Sequence, residues 1–255
     1  MPISADANIH YSLEDGVFII QIDRPDKKNA LLPGMYRALG DGIVAAEASA
    51  EANVILIRGT EDCFTSGNDV NSFVAGTTPT EERPSVHFMH ALHAARKPLI
   101  AAVNGLAIGI GTTLLLHCDL VYAAENSFLQ LPFTRLGLCP EAGSSFLLPQ
   151  QIGYRRAAEL LLLGDRFDAH RGREYGIVTE VLAPGQCDAH ALARAKTLAA
   201  LPPNAVQTSK RLMKQSVQDV VPSVIAQELV EFGALLQTDD AQAIMQAFLA
   251  KKKTA

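Results

Sequence analysis

With 255 residues, 48% of them hydrophobic, the chain has enough apolar side chain to build one sizeable core, or one core with a smaller appendage, and is neither disordered nor collagen-like. A formal charge of -5 gives no global basic field, which argues against duplex nucleic acid and anionic membrane surfaces as partners. The four cysteines, Cys63, Cys118, Cys139 and Cys187, stand far apart without a C-x-x-C pair, so reduced thiols in a cytoplasmic compartment fit better than a disulfide framework.

In chain order, residues 1–10 (MPISADANIH) contain acids and no apolar run of the kind a secretory leader needs, and a mature protein starting at Met1 is expected. Residues 9–13, the turn Glu14-Asp15-Gly16 and the β-branched stretch 17–22 predict a β-hairpin. Pro33 opens a helix in which Met35, Leu39, Ile43 and Ala46 share one face, and residues 54–57 (VILI) read as a buried strand. A second cycle follows: a helical stretch near 81–95, a strand at 99–103, a glycine-rich turn with a short helix through Leu116, and a strand at 120–124. The apolar run 99–116 is interrupted by Asn104 and glycines, so a soluble, cytoplasmic protein without a membrane partner is expected. The closing KKKTA does not read as a peroxisomal or endoplasmic-reticulum address.

Strands alternating with helices predict an α/β class, a layered sheet with helices outside. Beyond Pro140 the one good strand candidate is 178–182, and the remainder has helical periodicity. Helices are expected to start at Pro203 and Pro222, the second with Ile225, Leu229, Phe232 and Leu236 as its apolar stripe. Thr238 caps a last helix that begins with Asp239 and Asp240 and ends with Lys251, Lys252 and Lys253. The expected division is a core with the active site over 1–200 and a helical subdomain over 201–255. That subdomain is too short to bury its apolar faces on itself and is expected to pack against other subunits.

Three stretches could carry chemistry. Residues 63–69 (CFTSGND) place a glycine turn after a strand, where main-chain N–H groups point outward; alone, S-G-N-D is a common turn. Residues 104–111 (NGLAIGIG) hold three glycines ahead of a helix start, which lets a ligand approach the backbone and offers unpaired donors. A dinucleotide fingerprint would need a further glycine at Leu114. Residues 136–145 (LGLCPEAGSS) put Glu141 after a proline at a helix start, where the ordinary reading is compensation of the helix dipole. The serine pair is no G-x-S-x-G elbow. His87, His90 and His93 recur every third residue on a helix but lack a carboxylate partner, so no metal site is expected. His117 and Asp119 read as packing and local hydrogen bonding.

Taken in order and spacing, these stretches resemble the crotonase (enoyl-CoA hydratase/isomerase) superfamily. The resemblance runs over about residues 9 to 216: Arg24-Pro25 with Asn29-Ala30-Leu31, Ser66-Gly67-Asn68-Asp69, Ala101-Ala102-Val103-Asn104-Gly105, Cys118-Asp119, Leu136-Gly137-Leu138 and Gly176-Ile177-Val178. It implies a crotonase-like spiral of repeated ββα units with a C-terminal helical subdomain, an acyl-CoA thioester as substrate, and an oxyanion hole formed by the amides of Asn68 and Ile110. Coenzyme A enters as part of the substrate, no separate cofactor is implied, and the assembly implied is a homotrimer or a dimer of trimers.

Departures from the family pattern point to the reaction. Hydratases of this superfamily carry glutamates where this sequence has Thr113 and Phe133, whereas Glu141 matches the acid of the 3-enoyl-CoA to 2-enoyl-CoA isomerase branch. The resemblance therefore implies a double-bond shift with Glu141 as acid/base and Asn68 and Ile110 as catalytic amides. Implied substrate contacts are Lys28, Ala30, Ser66, Gly67, Asp69, Gly109, Phe133, Leu136 and Phe248, and basic candidates for the CoA phosphates are Arg24, Lys27, Lys28, Arg96, Lys97 and Lys251 to Lys253. Segment 77–93 is expected to line the acyl pocket. The alternatives are hydration or another crotonase reaction on the same scaffold, a non-catalytic acyl-CoA-binding member, and an RNA-binding offshoot, the last disfavoured by the acidic charge.

Overall fold

The structure, a computed structural model, describes residues 6–69 and 83–253, and the side chains of 248, 249 and 251–253 lie outside that description. The hairpin forms as expected. Strands β1 (Ile9–Glu14) and β2 (Val17–Ile22) pair antiparallel, and Asp15 and Gly16 both take positive φ, 48° and 79°, the turn geometry that matches strand twist. Helix α1 (Pro33–Ala48) buries the four predicted residues. Next come β3 (Val54–Arg58), β4 (Cys63–Thr65), α2 (Pro84–Ala94), β5 (Leu99–Val103), β6 (Leu106–Ile108), α3 (Ile110–Thr113), β7 (Leu120–Ala124) and β8 (Phe128–Gln130). Then follow α4 (Ser144–Ile152), α5 (Tyr154–Ala158), β9 (Arg166–Asp168), α6 (Ala169–Glu174), β10 (Glu180–Leu182), α7 (Cys187–Ala199), α8 (Pro203–Lys214), α9 (Val220–Leu236) and α10 (Asp239–Lys253).

A six-stranded sheet runs β1-β2-β3-β5-β7-β10, parallel except for the hairpin. Strands β2, β3, β5 and β7 are near-continuous apolar runs because both faces are covered, whereas the edge strand β1 is largely exposed. Side chains alternate between two cores: Ile20, Ile22, Ile55, Ile57, Ala101 and Val103 point into the main core with α1 and α2. Val17, Ile19, Val54, Leu56, Ile100 and Ala102 face Ala191, Ala195 and Ala199 of α7, whose small side chains allow close approach.

Three expectations need correction. The glycine-rich turn contains a strand, β6, and segment 166–168 forms β9, so 180–182 is not the only strand beyond Pro140. With β4 and β8 these make a second sheet, β4-β6-β8-β9, whose three-residue strands are too short to show alternation in sequence. Helix α9 starts at Val220 with Pro222 inside its first turn, where a missing N–H removes no intrahelical bond. Thr238 does cap α10, its Oγ1 accepting from the Ala241 amide at 3.4 Å.

Candidate active site

Strands β4 and β6 are parallel neighbours, pairing Cys63 with Leu106 and Thr65 with Ala107, so the loops leaving their C-terminal ends lie side by side. Gly67 has φ 87°, and a Cβ there would stand 2.7 Å from the Ile108 carbonyl oxygen; only glycine lets the two loops come this close. A Cβ on Gly111 would sit 2.6 Å from Thr65 Cγ2, so the start of α3 packs directly on the end of β4. Gly109, with φ 57° and ψ -117°, turns the chain into α3. Among the described residues the N–H groups of Asn68 and Ile110 have no hydrogen-bond acceptor. Two donors from adjacent loops are therefore available to a ligand.

The segment 24–31 braces the first loop. Ser66 N–H donates to the Lys28 carbonyl (3.0 Å), Leu31 N–H to Gly67 O (2.8 Å) and Asp69 N–H to Leu31 O (3.0 Å). Arg24 Nη1 donates to Asp69 Oδ2 (3.0 Å) and to Ala30 O (2.8 Å). Asn29 Nδ2 reaches Cys63 O (2.7 Å), and Thr65 Oγ1 donates to Asn29 O (2.7 Å). Asp69 is thus turned inward onto Arg24, Ala30 is buried, and Lys28 is exposed at the rim. Among the basic candidates, Arg24 is engaged by Asp69, and Lys97 is buried with Nζ donating to Ala46 O (2.6 Å) and Ser49 O (2.7 Å). Neither is presented to an incoming phosphate.

Glu141 is 3% exposed, and its Oε1 accepts a 2.6 Å hydrogen bond from Thr113 Oγ1. Thr113 is the last residue of the short helix that Ile110 begins, so one turn of chain carries both an amide donor and the hydroxyl that holds the carboxyl. Burial raises the Glu141 carboxyl to about 8, the Thr113 hydrogen bond opposes the rise, and the charge of Glu228 adds to it. The helix-dipole reading of Glu141 does not hold. At the start of α4 the Gly143 and Ser145 amides donate instead to Glu228, at 2.6 Å and 2.9 Å.

Tyr36, absent from the sequence-based set, belongs to the site. Its buried hydroxyl donates to Asn68 Oδ1 at 2.6 Å, and its pKa is pushed well above 10 by burial and then by the charge of Glu141. The signal was available: Tyr36 lies three residues before Leu39 on the apolar face of α1, and a buried phenol needs a partner. Phe133 is buried and Leu136 half-buried in the segment leading from β8 to Glu141, both against the main core. The Phe248 side chain and residues 77–82 of the expected acyl-pocket segment lie outside the described residues. His87 has the carboxylate partner its sequence neighbourhood lacks, Asp41 of α1 at 2.8 Å.

With this geometry in place, a family model described as enoyl-CoA hydratase/isomerase matches residues 12–255. The chain belongs to the enoyl-CoA hydratase/isomerase family, the crotonase superfamily. It is 34% identical over 247 residues to "Enoyl-CoA delta isomerase 2" of Rattus norvegicus, an alignment covering 94% of this chain but 62% of that protein, so the chain spans under two thirds of that relative. It is 32% identical over 249 residues to "Probable enoyl-CoA hydratase" of Rhodobacter capsulatus, covering 96% of this chain and 95% of that one. The solved structure of Pseudomonas aeruginosa OdaA superposes with a TM-score of 0.93 at 41% identity, covering 95% of this chain and 99% of that one.

Proposed function

We propose that the protein shifts the double bond of a 3-enoyl-CoA to the 2-trans position, with Glu141 moving the proton. One observation carries this reading: the buried carboxyl of Glu141 sits on Thr113, and Thr113 and Phe133 are the positions where the family resemblance places the two glutamates of hydratases. Hydration needs a water activated and a proton delivered. A double-bond shift needs one base that returns what it took. Ionised Glu141 removes a proton from C2, the electron pair moves onto the thioester oxygen as a dienolate, and the Asn68 and Ile110 amides stabilise that oxygen. The same carboxyl then delivers its proton to C4, the double bond forms between C2 and C3, and Glu141 is ionised again. The name of the Rattus norvegicus relative agrees with this reading, and the hydratase name of the Rhodobacter capsulatus relative is the competing outcome.

The test is to incubate the protein separately with a 3-enoyl-CoA and a 2-enoyl-CoA and to identify products by chromatography and mass. Isomerisation leaves the mass unchanged; exclusive formation of 3-hydroxyacyl-CoA would reject the proposal. We also propose the homotrimer or dimer of trimers, supported by the exposed Leu212, Met213 and Val230 on α8 and α9. Light scattering coupled to size exclusion decides it, a monomer being the contrary result.

A further inference from the structure

We propose that Glu228, on helix α9, is a positioning residue for Glu141: its carboxylate clamps the turn that follows Glu141 and so fixes where that carboxyl points. The inference rests on the reading of Glu141 as the acid/base, and its test is chosen to separate the two. The turn itself is an unfavourable piece of backbone. Ala142 has φ 58°, a left-handed conformation that carries a penalty for any residue with a Cβ, and Gly143 follows at φ 74°. Such a geometry persists only where its surroundings over-determine it.

Helix α9 supplies part of that restraint. Glu228 is 6% exposed and takes Gly143 N–H on Oε2 (2.6 Å) and Ser145 N–H on Oε1 (2.9 Å), one carboxylate oxygen for each amide. Val221 and Ile225 close the space beside Gly143, where a Cβ would stand 3.0 Å from Val221 Cγ1. From the other side His117 Nε2 donates to Ala142 O at 2.7 Å, and Ser144 Oγ to Glu141 O at 2.6 Å. The peptide units on both sides of Ala142 are held, and the Glu141 side chain emerges from this fixed turn toward Thr113. The acid from α9 does for this turn what main-chain pairing does for Asn68.

Several titratable groups face the turn. Tyr36 comes from α1, His117 from the helical turn after α3, Cys139 from the segment that leads into Glu141, and Glu228 from α9 with Glu231 beyond it. Burial keeps the first three neutral near pH 7: Tyr36 lies well above 10, His117 falls to about 3 and Cys139 rises to about 11. Burial also pushes the Glu228 carboxyl up, opposed by its hydrogen bonds from Ser145 and Gly143, which favour the anion. Glu228 is therefore the member of this set whose charge reaches Glu141, and the contact that positions the acid also disfavours its ionisation.

The experiment compares wild type with Glu228→Gln and Glu228→Asp, using protein carrying 13C at its glutamate carboxyl carbons. The Glu141 resonance is assigned by its loss in Glu141→Gln. Glu228→Gln removes the charge and offers an amide donor to one of the two N–H groups; the Glu141 midpoint is expected to fall by on the order of one pH unit. The plateau kcat for isomerisation is expected to drop at least tenfold with KM within about threefold, since a misplaced acid loses rate more than binding. Glu228→Asp retains the charge at a shorter reach and should restore most of the midpoint and part of kcat. An unmoved midpoint, or an unmoved plateau kcat, in Glu228→Gln shown by circular dichroism to be folded overturns the proposal. Should Glu228→Gln fail to fold, Glu228→Asp decides by the plateau kcat alone: a partial loss supports the proposal and a wild-type value overturns it. Failure of the isomerase reading shows separately, as absent turnover by wild type, and leaves the carboxyl titration to judge Glu228.

Discussion

The two sheets of this molecule solve different problems. The six-stranded sheet is held by apolar area, with side chains alternating into two cores and helices on both faces. The four-stranded sheet has strands of three residues; it also buries Phe64, Ala107, Leu129 and Phe167 in the main core, and adds buried polar side chains on main-chain atoms. Asn29 binds the carbonyls of Cys63 and Phe64, Thr112 Oγ1 donates to Ala107 O at 2.6 Å, and Ser127 Oγ, just ahead of β8, donates to Val103 O of β5 at 3.0 Å and ties the two sheets together. Apolar packing tolerates small shifts, whereas a buried hydrogen bond fixes an atom to within a fraction of an ångström or leaves a group unsatisfied. The candidate catalytic amides lie at the ends of β4 and β6, in the sheet built the second way. Stability and the placement of the candidate reacting groups are therefore expected to respond to different substitutions.

Substitutions at the small-sheet end should damage turnover first. Glu141→Gln removes the base without changing its size, and kcat is expected to fall by on the order of 10³-fold, read from the rate of double-bond migration. The same variant carries a stability signature. Because the Glu141 carboxyl rises from 4.5 to about 8 on folding, the native state holds a proton that the unfolded chain has released between those values. Its contribution to stability is therefore present below pH 4.5 and lost as pH rises through about 8. Glu141→Gln should match wild type in thermal midpoint near pH 5 and exceed it near pH 9. A constant difference across that range would show that the carboxyl does not titrate there.

Next in size is Gly67→Ala. The new Cβ meets the Ile108 carbonyl at a backbone position with φ 87°, so the loop must move and carry the Asn68 amide with it. Losing one oxyanion donor removes on the order of 3 kcal/mol of transition-state stabilisation, about a hundredfold in kcat. An alanine variant with wild-type kcat would place the oxyanion elsewhere. Thr113→Val should have a smaller effect. Its hydroxyl opposes the rise of the Glu141 carboxyl, so removing it moves the ascending limb of kcat/KM to higher pH than wild type, with a severalfold loss at pH 7 that narrows as pH rises. A limb moved downward would contradict the assigned hydrogen bond.

Much of the large sheet was legible because its strands are long enough to show what they bury. The helix opened by Pro33 and the strands read at 54–57, 99–103 and 120–124 announced themselves through periodicity and apolar runs. Both glycine turns of the site were visible as well, since a backbone that must approach another leaves glycine in the sequence. What stayed hidden was the pairing of distant polar groups: Tyr36 with Asn68 across 32 residues, and Glu228 with Gly143 across 85. No local pattern encodes such a pair, but half of each leaves a trace. Glu228 stands three residues after Ile225 and four before Phe232, an acid on the buried stripe of α9. An ionisable group on an apolar face requires partners, and asking which backbone amides lacked acceptors would have led to the start of α4.

The sharpest test of the contrast between the sheets has the smallest expected effect on chemistry. Leu56 is fully buried in the core that faces α7, while Ile110, Leu114 and Ala142 line the core on the opposite side of the sheet. Leu56→Ala leaves a cavity among Ile19, Ile100, Ala191 and Ala195 and is expected to lower stability by about 2–5 kcal/mol, read from denaturant unfolding. Below its unfolding transition, kcat per folded molecule should stay within about twofold of wild type, because a cavity on that face leaves β4, β6 and the α4 turn anchored by their own hydrogen bonds. A parallel loss of kcat would mean that packing in the large sheet also sets the position of the amides, and the separation of stability from placement would fail.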